Sequence, residues 1–479
     1  MNQCDLFDNP APISQRNSAT PITNAMYWLW LSRPDLQKRY KLYINSHQSS
    51  YYNWYHVYSH LVHTRWLLFL YILLPRSLRV SIKWFLAHLS RGASMVTVGQ
   101  QPRVAAMSPQ EPLKMGSNLI GRANADLGMG ELVRMAATAL HRAQTPHGII
   151  NFTVGVTHTQ HARAEGSTYL PSPSFRSNIF LMNVDQMWLV YEHLGSATFR
   201  NRYNIGYFPW ELARCPPEFY FGLQLVDEIW APSTFVRDSF SRYFHRPVLH
   251  MPECVELPAI SQRDRSAFAI PRDTYAFLCM FDCKSYMCRK NPQAAIKAFQ
   301  RAFNHNDAVR LVLKIMNADR ESDYYRELQL FARSDHRILL IDQNYSRAEV
   351  LALISVCDAL VSLHRSEGFG RAPAEAMYLG KPVVVTNYSG NTDFTRDDNS
   401  CLVNYQLVPV GDTEYPYGKG QLWAEPDVAH AAFHMKRLAE SSTLSRTIGL
   451  AGQKTIHEEF NPVVVGARYR DRLAQLGLL

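Results

Sequence analysis

Residues 359–394 constrain the fold of this chain more than any other stretch, because two apolar runs there enclose a glycine-rich loop and a helix. The runs, 359–363 and 382–386, have the length and continuous hydrophobicity of buried strands in a parallel sheet. Gly368 and Gly370 permit a sharp turn between them, and the helix is predicted to follow directly. A parallel strand, a crossover helix and a second strand are therefore expected, which is the repeating unit of an α/β fold.

The start of that helix is typical of an anion-binding site. Pro373 is tolerated only in the first helical turn, so the helix is predicted to begin near Arg371. Its unpaired N–H groups and its dipole would then face a ligand at the carboxyl end of the preceding strand. Glu367 and Glu375, with seven residues between them, flank this site. Because a carboxylate does not neutralise phosphate, both are predicted to accept hydrogen bonds from sugar or ribose hydroxyls.

The glutamate spacing, the loop EGFG and the following pattern EAM-x-x-G-x-P-V resemble the donor site of retaining GT-B glycosyltransferases of glycosyltransferase family 4 (group 1). Members of the type that this chain resembles build bacterial O-antigen, capsule or exopolysaccharide. The resemblance extends from Lys114 to the end of the chain. It implies an α/β fold of two Rossmann-like parallel-sheet domains that face a cleft. It also implies transfer of a hexose, such as mannose or a deoxyhexose, from a nucleotide-diphosphate sugar to a glycan or lipid-linked hydroxyl.

The resemblance assigns roles to the residues of the loop. It places Glu367 on the donor sugar and Glu375 on the ribose, and the backbone amides of Gly368, Phe369 and Gly370 on the phosphates. Such a site needs neither a metal ion nor another cofactor, which agrees with the lack of a D-x-D motif in the sequence.

A second basic loop is expected at the same edge of the sheet. Residues 275–281 are predicted to form a strand, and Arg289 and Lys290 lie just ahead of the next helix. Family members carry an arginine and a lysine in this loop, on the donor diphosphate, and Lys290 matches the lysine. Asp282 stands where the arginine usually does, which leaves Arg289 or Lys284 as its replacement. The alternative is an ordinary solvated basic pair.

The first half of the chain is also predicted to alternate strands and helices. Gly121, Gly128 and Gly130 follow the first strand, in a loop that resembles the glycine loop of the GT-B acceptor domain. The predicted strands of this half are 115–120, 149–154, 178–183, 204–208, 228–231 and 248–251, and those of the second half are 275–281, 311–316, 338–341, 359–363 and 383–386.

Trp210 and Glu211 are predicted to lie at a strand tip, in the phrase NIGYFPWEL. Many family members place a histidine near this position to contact the transferred sugar, and this phrase has none. We therefore expect the indole to stack on a sugar face and the carboxylate to hold acceptor hydroxyls. The alternative is a core tryptophan and a helix-capping glutamate.

Charge is distributed unevenly along the chain. Lys and Arg number 50 against 41 Asp and Glu, a net charge of +9, and residues 51–110 contain no acidic residue. The aromatic and basic segment 51–89 is predicted either to lie on an anionic membrane surface or to pack as a helical hairpin. Its longest apolar run, 66–74, is about half of the ~20 residues that a spanning helix needs. Nucleic-acid binding is disfavoured because no recognisable module supports it.

Domain boundaries follow from these patterns, and the cysteines indicate the compartment. Eight irregularly spaced cysteines without a signal-like N-terminus favour reduced thiols in a cytoplasmic protein, which could be peripheral on the inner face of the membrane. Cys279, Cys283 and Cys288 lack a fourth ligand for a metal site. The predicted parts are a disordered tail (1–22), a helical extension (23–110), an acceptor domain (111–257), a linker (258–272), a donor domain (273–460) and a helix that crosses back (461–479).

Two other classes of function remain open from the sequence. Another GT-B enzyme, a nucleotide-sugar epimerase, would need several cleft acids and histidines, and a phosphorylase would be longer and carry a cofactor lysine. A non-enzymatic, membrane-associated scaffold could keep the sugar-nucleotide site for regulation. The intact block from EGFG to EAM favours an active site.

Overall fold

The computed structural model describes residues 112–125, 128–154, 163–164 and 166–479, together with Met26, Trp30, Tyr40, Tyr51 and Tyr52. The predicted tail and, apart from those five residues, the predicted extension lie outside the described residues. The same holds for the predicted membrane-surface segment beyond Tyr52. Within the described part of the chain, every helix is too short or too polar to traverse a bilayer.

The first unit is a parallel sheet of six strands in the order β2-β1-β3-β4-β5-β6. All six predicted strands are present, with ends that shift by a few residues. Gly121 at the end of β1 pairs with Asn151 and Leu181, so neighbouring strands finish at one common edge. The strands are β1 (Lys114–Gly121), β2 (His147–Asn151), β3 (Phe175–Leu181), β4 (Tyr203–Tyr207), β5 (Glu228–Ala231) and β6 (Val248–His250), and the helices are α1 (Gly128–Arg142), α2 (Met187–Leu194), α3 (Tyr220–Gln224) and α4 (Thr234–Ser241).

The second unit repeats this architecture with strand order β12-β11-β10-β7-β8-β9. Apolar residues on both faces of its sheet are buried under helices, as expected for continuous hydrophobic strands. The strands are β7 (Tyr275–Asp282), β8 (Val309–Met316), β9 (Ile338–Ile341), β10 (Ala359–Ser362), β11 (Val383–Thr386) and β12 (Cys401–Val403). The helices are α5 (Met287–Lys290), α6 (Pro292–Ala302), α7 (Asp323–Ser334), α8 (Arg347–Val356), α9 (Arg371–Tyr378), α10 (Val428–Glu440) and α11 (Ser442–Glu459).

An antiparallel hairpin that the sequence analysis did not anticipate follows the second sheet. It consists of β13 (Tyr405–Pro409) and β14 (Leu422–Pro426), and we call residues 405–426 the hairpin. Its residues Val410, Tyr415 and Trp423 are buried in the apolar core of the first unit. The hairpin therefore ties the two units together.

The last helix also returns to the first unit. This helix, α12 (Pro462–Gln475), packs on α1 so closely that a Cβ at Gly466 would lie 2.0 Å from the carbonyl oxygen of Ala139. The Tyr469 hydroxyl donates to the carbonyl of Pro252 over 2.6 Å. In the predicted linker, Phe268 and Ile270 are buried in the core of the second unit, so this segment is packed rather than loose.

Candidate active site

The carboxyl ends of the two sheets face each other, and loops from both units touch there. The Ser233 hydroxyl, at the N-terminus of α4, donates to the carbonyl of Gly368 over 2.6 Å. The amide of Thr234 donates to Asp393 over 2.8 Å. Loops beyond the carboxyl ends of parallel strands are where open α/β sheets bind ligands, so this edge is the candidate site.

Glu367 lies at the centre of the site, between two cations. Arg289, whose side chain is only 5% exposed, donates from Nη1 to Glu367 Oε2 over 3.1 Å and to the carbonyl of Ser366 over 2.9 Å. The Lys290 ammonium donates to the other carboxylate oxygen. Burial opposes ionisation of Glu367, but attraction to Lys290 and Arg289 outweighs it and holds the pKa of the carboxyl well below its usual range. Glu367 is therefore a carboxylate, as the sequence prediction requires.

The local sequence explains why both cations point at this glutamate. Tyr286 and Asn291 have positive φ angles of 61° and 49°, and they bracket the four-residue helix α5. The chain therefore turns sharply before and after Arg289 and Lys290. Pro292 then begins α6, so the basic pair lies at the end of the loop that follows β7, directly before this helix.

The backbone of Glu367 is held by the loop that follows β11. The Glu367 amide donates to the Ser389 hydroxyl over 2.8 Å, and its carbonyl accepts from the Gly390 amide over 2.9 Å. A Cβ at Gly390 would lie 2.2 Å from the Gly368 carbonyl oxygen, so only glycine permits this approach. Gly370, with φ of 101°, makes the turn into α9. The predicted strand, glycine loop and helix are all present.

A buried histidine supports the same two loops and was not predicted. His364 Nε2 lies 2.9 Å from the side-chain oxygen of Asn391, and Nδ1 lies 3.0 Å from the Ser362 hydroxyl. Burial lowers the pKa of His364, so the imidazole is neutral and bridges the loop after β10 to the loop after β11. A lone histidine after a strand carries no sequence signal that separates this role from others.

Glu375 lies in a separate charge cluster that spans the two units. Its carboxylate accepts two hydrogen bonds from Arg347, over 2.8 and 2.6 Å. Arg347 also lies 3.7 Å from Glu131, and Arg371 donates to Glu253 over 3.0 Å. Burial opposes ionisation of Glu131, but the nearby arginines, Arg371 foremost, outweigh it and lower the pKa of Glu131. The carboxylate of Glu375, which was predicted to bind ribose, is thus paired in this structure with Arg347. The sequence analysis did not single out this arginine.

The other predicted donor-site residues have distinct surroundings. The Phe369 side chain is buried against Phe394 and Phe460, with ring centroids 5.2 and 6.1 Å away, so only its backbone faces the loop. Lys284 is exposed in the turn after β7, and its backbone amide donates to Asp282 over 2.9 Å. Arg289 and Lys284 were the two candidates to replace the arginine that family members carry after this strand. Arg289 is the one that contacts Glu367.

Trp210 does not present an open face to the cleft. Its indole is buried between the rings of Phe219 and Tyr415, with centroid distances of 4.9 and 5.8 Å, and its Nε1 donates to the carbonyl of Arg214. The alternative reading, a core tryptophan, describes this residue. The indole is buried because the hairpin covers the face that was expected to receive a sugar.

Glu211 does point towards the site. Its Oε2 accepts a hydrogen bond of 2.6 Å from the Tyr415 hydroxyl, and its Oε1 lies 3.8 Å from Arg289 Nη2. It is therefore part of the same charged constellation as Glu367, rather than a helix cap.

The glycine loop after β1 packs tightly. A Cβ at Gly121 would lie 2.7 Å from the Leu181 carbonyl oxygen, and one at Gly130 would lie 2.1 Å from that of Ala125. Gly128 begins α1, whose first turn carries Glu131 into the interunit charge cluster. Gly121 and Gly130 thus allow close approach of the backbone at the cleft, whereas a Cβ at Gly128 would meet no atom of the described residues within 4 Å.

The predicted absence of a cysteine-based metal site stays a prediction. Burial raises the pKa of Cys279 to about 12 and also raises that of Cys283 and Cys288. Over the described residues, the group of side chains with metal-ligand spacing is His305, Asp335 and His336. Asp335 and His336 precede β9 and His305 precedes β8, so this group lies at the amino ends of the strands, away from the site. Arg337 already binds both oxygens of Asp335.

Comparison with solved structures places the fold in a class. HepE of Anabaena, in a crystal structure with UDP and glucose, superposes with a TM-score of 0.56 at 14% identity, over 76% of this chain and 100% of that one. The sucrose-phosphate synthase of Thermosynechococcus elongatus also gives 0.56, at 16% identity, over 76% of this chain and 99% of that one. The described chain therefore has the two-domain GT-B fold, as the sequence predicted.

A match to a family model lies in the second unit. Residues 274–410 match the family model described as "Glycosyl transferases group 1". Alpha-1,3/1,6-mannosyltransferase ALG2 of Homo sapiens is 24% identical over 142 residues, which is 29% of this chain and 29% of that protein. The Mus musculus protein of the same name matches over 141 residues. The alignment with these relatives spans less than a third of their length. The match to the family model contains Arg289, Lys290, Glu367 and Glu375.

Proposed function

We propose that this protein is a retaining glycosyltransferase that moves a hexose from a nucleotide-diphosphate sugar to a hydroxyl of a glycan or lipid-linked acceptor. One observation carries the proposal: Arg289 and Lys290 converge on Glu367 beside the glycine turn that opens α9. Two fixed cations, a helix N-terminus and an ionised carboxylate together suit a sugar diphosphate, which joins negative charge to hydroxyl groups.

The chemistry follows from where charge develops. As the bond between the anomeric carbon and the diphosphate oxygen breaks, negative charge accumulates on the leaving diphosphate. Arg289, Lys290 and the amides of residues 368–370 stabilise that charge without needing to reorganise. The acceptor oxygen attacks from the face that the diphosphate leaves, and a diphosphate oxygen takes the acceptor proton. Configuration is thereby retained, and Glu367 holds the sugar.

The relatives suggest which donors to test first. HepE was solved with UDP and glucose, and the curated relatives are named mannosyltransferases. We propose a hexose such as mannose or a deoxyhexose and a role in surface polysaccharide synthesis. The support is the resemblance of four phrases of the sequence, RKNP, EGFG, YSGN and WAEPD, to bacterial enzymes of that kind.

Product analysis tests the proposal directly. The full chain is incubated with labelled UDP- and GDP-sugars and candidate acceptors, and the anomeric configuration of the product is read by NMR. Transfer with retained configuration is expected. An epimerised nucleotide sugar formed without acceptor would indicate an epimerase, whereas tight binding without any product would indicate a scaffold.

Activity is expected to survive excess EDTA. The proposed phosphate site draws its positive charge from Arg289 and Lys290, both already held in place by Glu367. The transfer assay is repeated after chelation and after adding back magnesium or manganese. Loss of activity that either ion restores would contradict the proposed phosphate site.

Glu375→Gln is expected to weaken binding of free UDP or GDP by roughly 10- to 100-fold. The estimate rests on charge-assisted hydrogen bonds to ribose hydroxyls, each worth about 1.5–3 kcal/mol. To bind ribose, the carboxylate would share or exchange its bonds with Arg347. Calorimetric titration measures the affinity.

Glu459→Gln is the matched control for this change, because Glu459 also forms a two-bond pair with an arginine, Arg396, on the exposed surface. It should leave nucleotide affinity unchanged. If Glu375→Gln lowers the melting temperature and not the affinity, the pair with Arg347 is structural and the ribose role is wrong.

We also propose that the full chain works at an anionic membrane surface, where a lipid-linked acceptor would be found. The support is the acid-free, basic and aromatic sequence of residues 51–89. Sedimentation with anionic liposomes is expected to fall clearly between low and roughly 0.5 M salt, because screening shortens the electrostatic reach. Equal binding to neutral liposomes, or no binding to either kind, would favour the packed-hairpin alternative.

A further inference from the structure

The hairpin places Tyr415 at the candidate site. Neither the resemblance nor the family match assigns this residue a role there. The match ends at residue 410, and Tyr415 lies in the loop between β13 and β14. Its ring packs on Tyr286, with centroids 4.9 Å apart, and the Arg289 guanidinium lies 5.9 Å from the ring centroid. Tyr286, Arg289 and Tyr415 of the second unit thus form one wall of the site together with Glu211 of the first unit.

Glu211 and Tyr415 leave hydrogen-bonding capacity on that wall. The Tyr415 hydroxyl occupies Oε2 of Glu211, whereas Oε1 is 3.8 Å from Arg289 Nη2, beyond hydrogen-bond distance. The Glu211 side chain is 25% exposed, so its carboxylate is within reach of a ligand. Arg289 Nε is buried and has no hydrogen-bond partner among the described residues. Buried donors of this kind are normally satisfied, so the guanidinium keeps one unmet hydrogen bond.

The same guanidinium connects the two acids. Arg289 contacts Glu367 through Nη1 and approaches Glu211 through Nη2. A sugar held by Glu367 would therefore have Glu211 and Tyr415 at its side. This geometry favours a contact between Glu211 and the transferred sugar. The sequence analysis had assigned Glu211 to the acceptor instead.

We propose that Glu211 and Tyr415 recognise a hydroxyl of the transferred sugar and make the site selective for neutral hexoses over uronic acids. This inference rests on the proposed glycosyltransferase function. A hydroxyl can donate to the open oxygen of Glu211, which a sugar carboxylate cannot do.

Charge leads to the same selectivity. Arg289 and Lys290 supply two positive charges, and the donor diphosphate draws on both. The donor diphosphate already adds negative charge, so a uronate would be placed beside a carboxylate with no cation left to pair with it. Burial and the neighbouring Glu211 raise the pKa of Tyr415, so its hydroxyl stays a neutral donor to the carboxylate.

Two nearly isosteric variants test the inference, Tyr415→Phe and Glu211→Gln, with Tyr405→Phe as the control. Tyr405 is in β13 of the same hairpin and is 37% exposed. The probes are UDP, UDP-glucose and UDP-glucuronic acid, and GDP, GDP-mannose and GDP-mannuronic acid. Calorimetry gives the affinity that the sugar adds to each nucleotide, and the transfer assay gives kcat and KM.

In the wild type we expect the neutral sugar to bind at least about 10-fold more tightly than its uronic acid. Tyr415→Phe should lose about 5- to 10-fold in affinity for the neutral sugar, with the affinity for free nucleotide unchanged. Glu211→Gln should reduce the discrimination to within about 3-fold. Tyr405→Phe should match the wild type in both measurements. Unchanged nucleotide affinity also confirms that the variants are folded.

The failures of the two proposals differ. If nucleotides bind the wild type but both variants keep its sugar affinity and discrimination, the role of Glu211 and Tyr415 is wrong and the proposed function stands. A wild type that binds uronic acid as well as the neutral sugar also overturns the inference. If no nucleotide or nucleotide sugar binds the wild type, the proposed function fails and the inference falls with it.

Discussion

Lys290→Ala is expected to lower turnover about 100-fold or more, on the scale seen when one preorganised stabilising group is lost from a transition state. The Lys290 ammonium is held by Glu367 and lies beside Arg289, at the N-terminal side of α6. Its charge would act where the diphosphate leaves. Steady-state kinetics with the donor identified by product analysis measures the effect. Because Arg289 still pairs with Glu367, the variant is expected to fold.

Lys297→Ala is the matched control. Lys297 is an exposed lysine on α6, seven residues from Lys290, and its removal is expected to leave turnover unchanged. Turnover of Lys290→Ala within a few-fold of the wild type would remove this lysine from the catalytic machinery. A large loss in the control as well would mean that general surface charge, rather than this site, governs the rate.

Trp423→Ala is expected to reduce the free energy of unfolding by about 3–5 kcal/mol, the usual cost of truncating a large buried aromatic side chain. Trp423 is only 1% exposed and lies in the core of the first unit although it belongs to the hairpin of the second. The Arg365 guanidinium also lies 5.3 Å from its ring centroid. Urea unfolding followed by circular dichroism measures the change.

Leu422→Ala separates burial from general disruption of the hairpin. Leu422 is the neighbouring residue in β14 and is 44% exposed, so its truncation should cost little. If Trp423→Ala is no more destabilising than this control, the hairpin does not hold the two units together, and Tyr415 could not be kept at the site by it.

The fold was largely predictable from the sequence because strand and helix signals here are local. The predicted strands 228–231, 338–341 and 383–386 have the bounds of β5, β9 and β11 in the structure. The strand β12 and the hairpin were missed for physical reasons. β12 has three residues, and four of the five residues of β13 are exposed, so neither has a hydrophobic period that a sequence can reveal.

The centre of the candidate site was predictable for a topological reason. The carboxyl ends of parallel strands share one edge of a sheet, so the loops after β7 and β10 had to be neighbours once both strands were assigned. This brought Arg289 and Lys290 to Glu367. The roles of these residues on a bound donor remain predictions.

The sequence by itself determined the two-sheet α/β fold and the glycine turn into α9, because these depend on residues close together in the chain. Only the tertiary structure decided which distant side chains meet these residues. It paired Glu375 with Arg347, buried Trp210 and brought Tyr415 to Glu211 across 204 positions of sequence. Those contacts depend on how the hairpin and the two units pack, and packing between remote segments leaves no local periodicity from which it could be inferred.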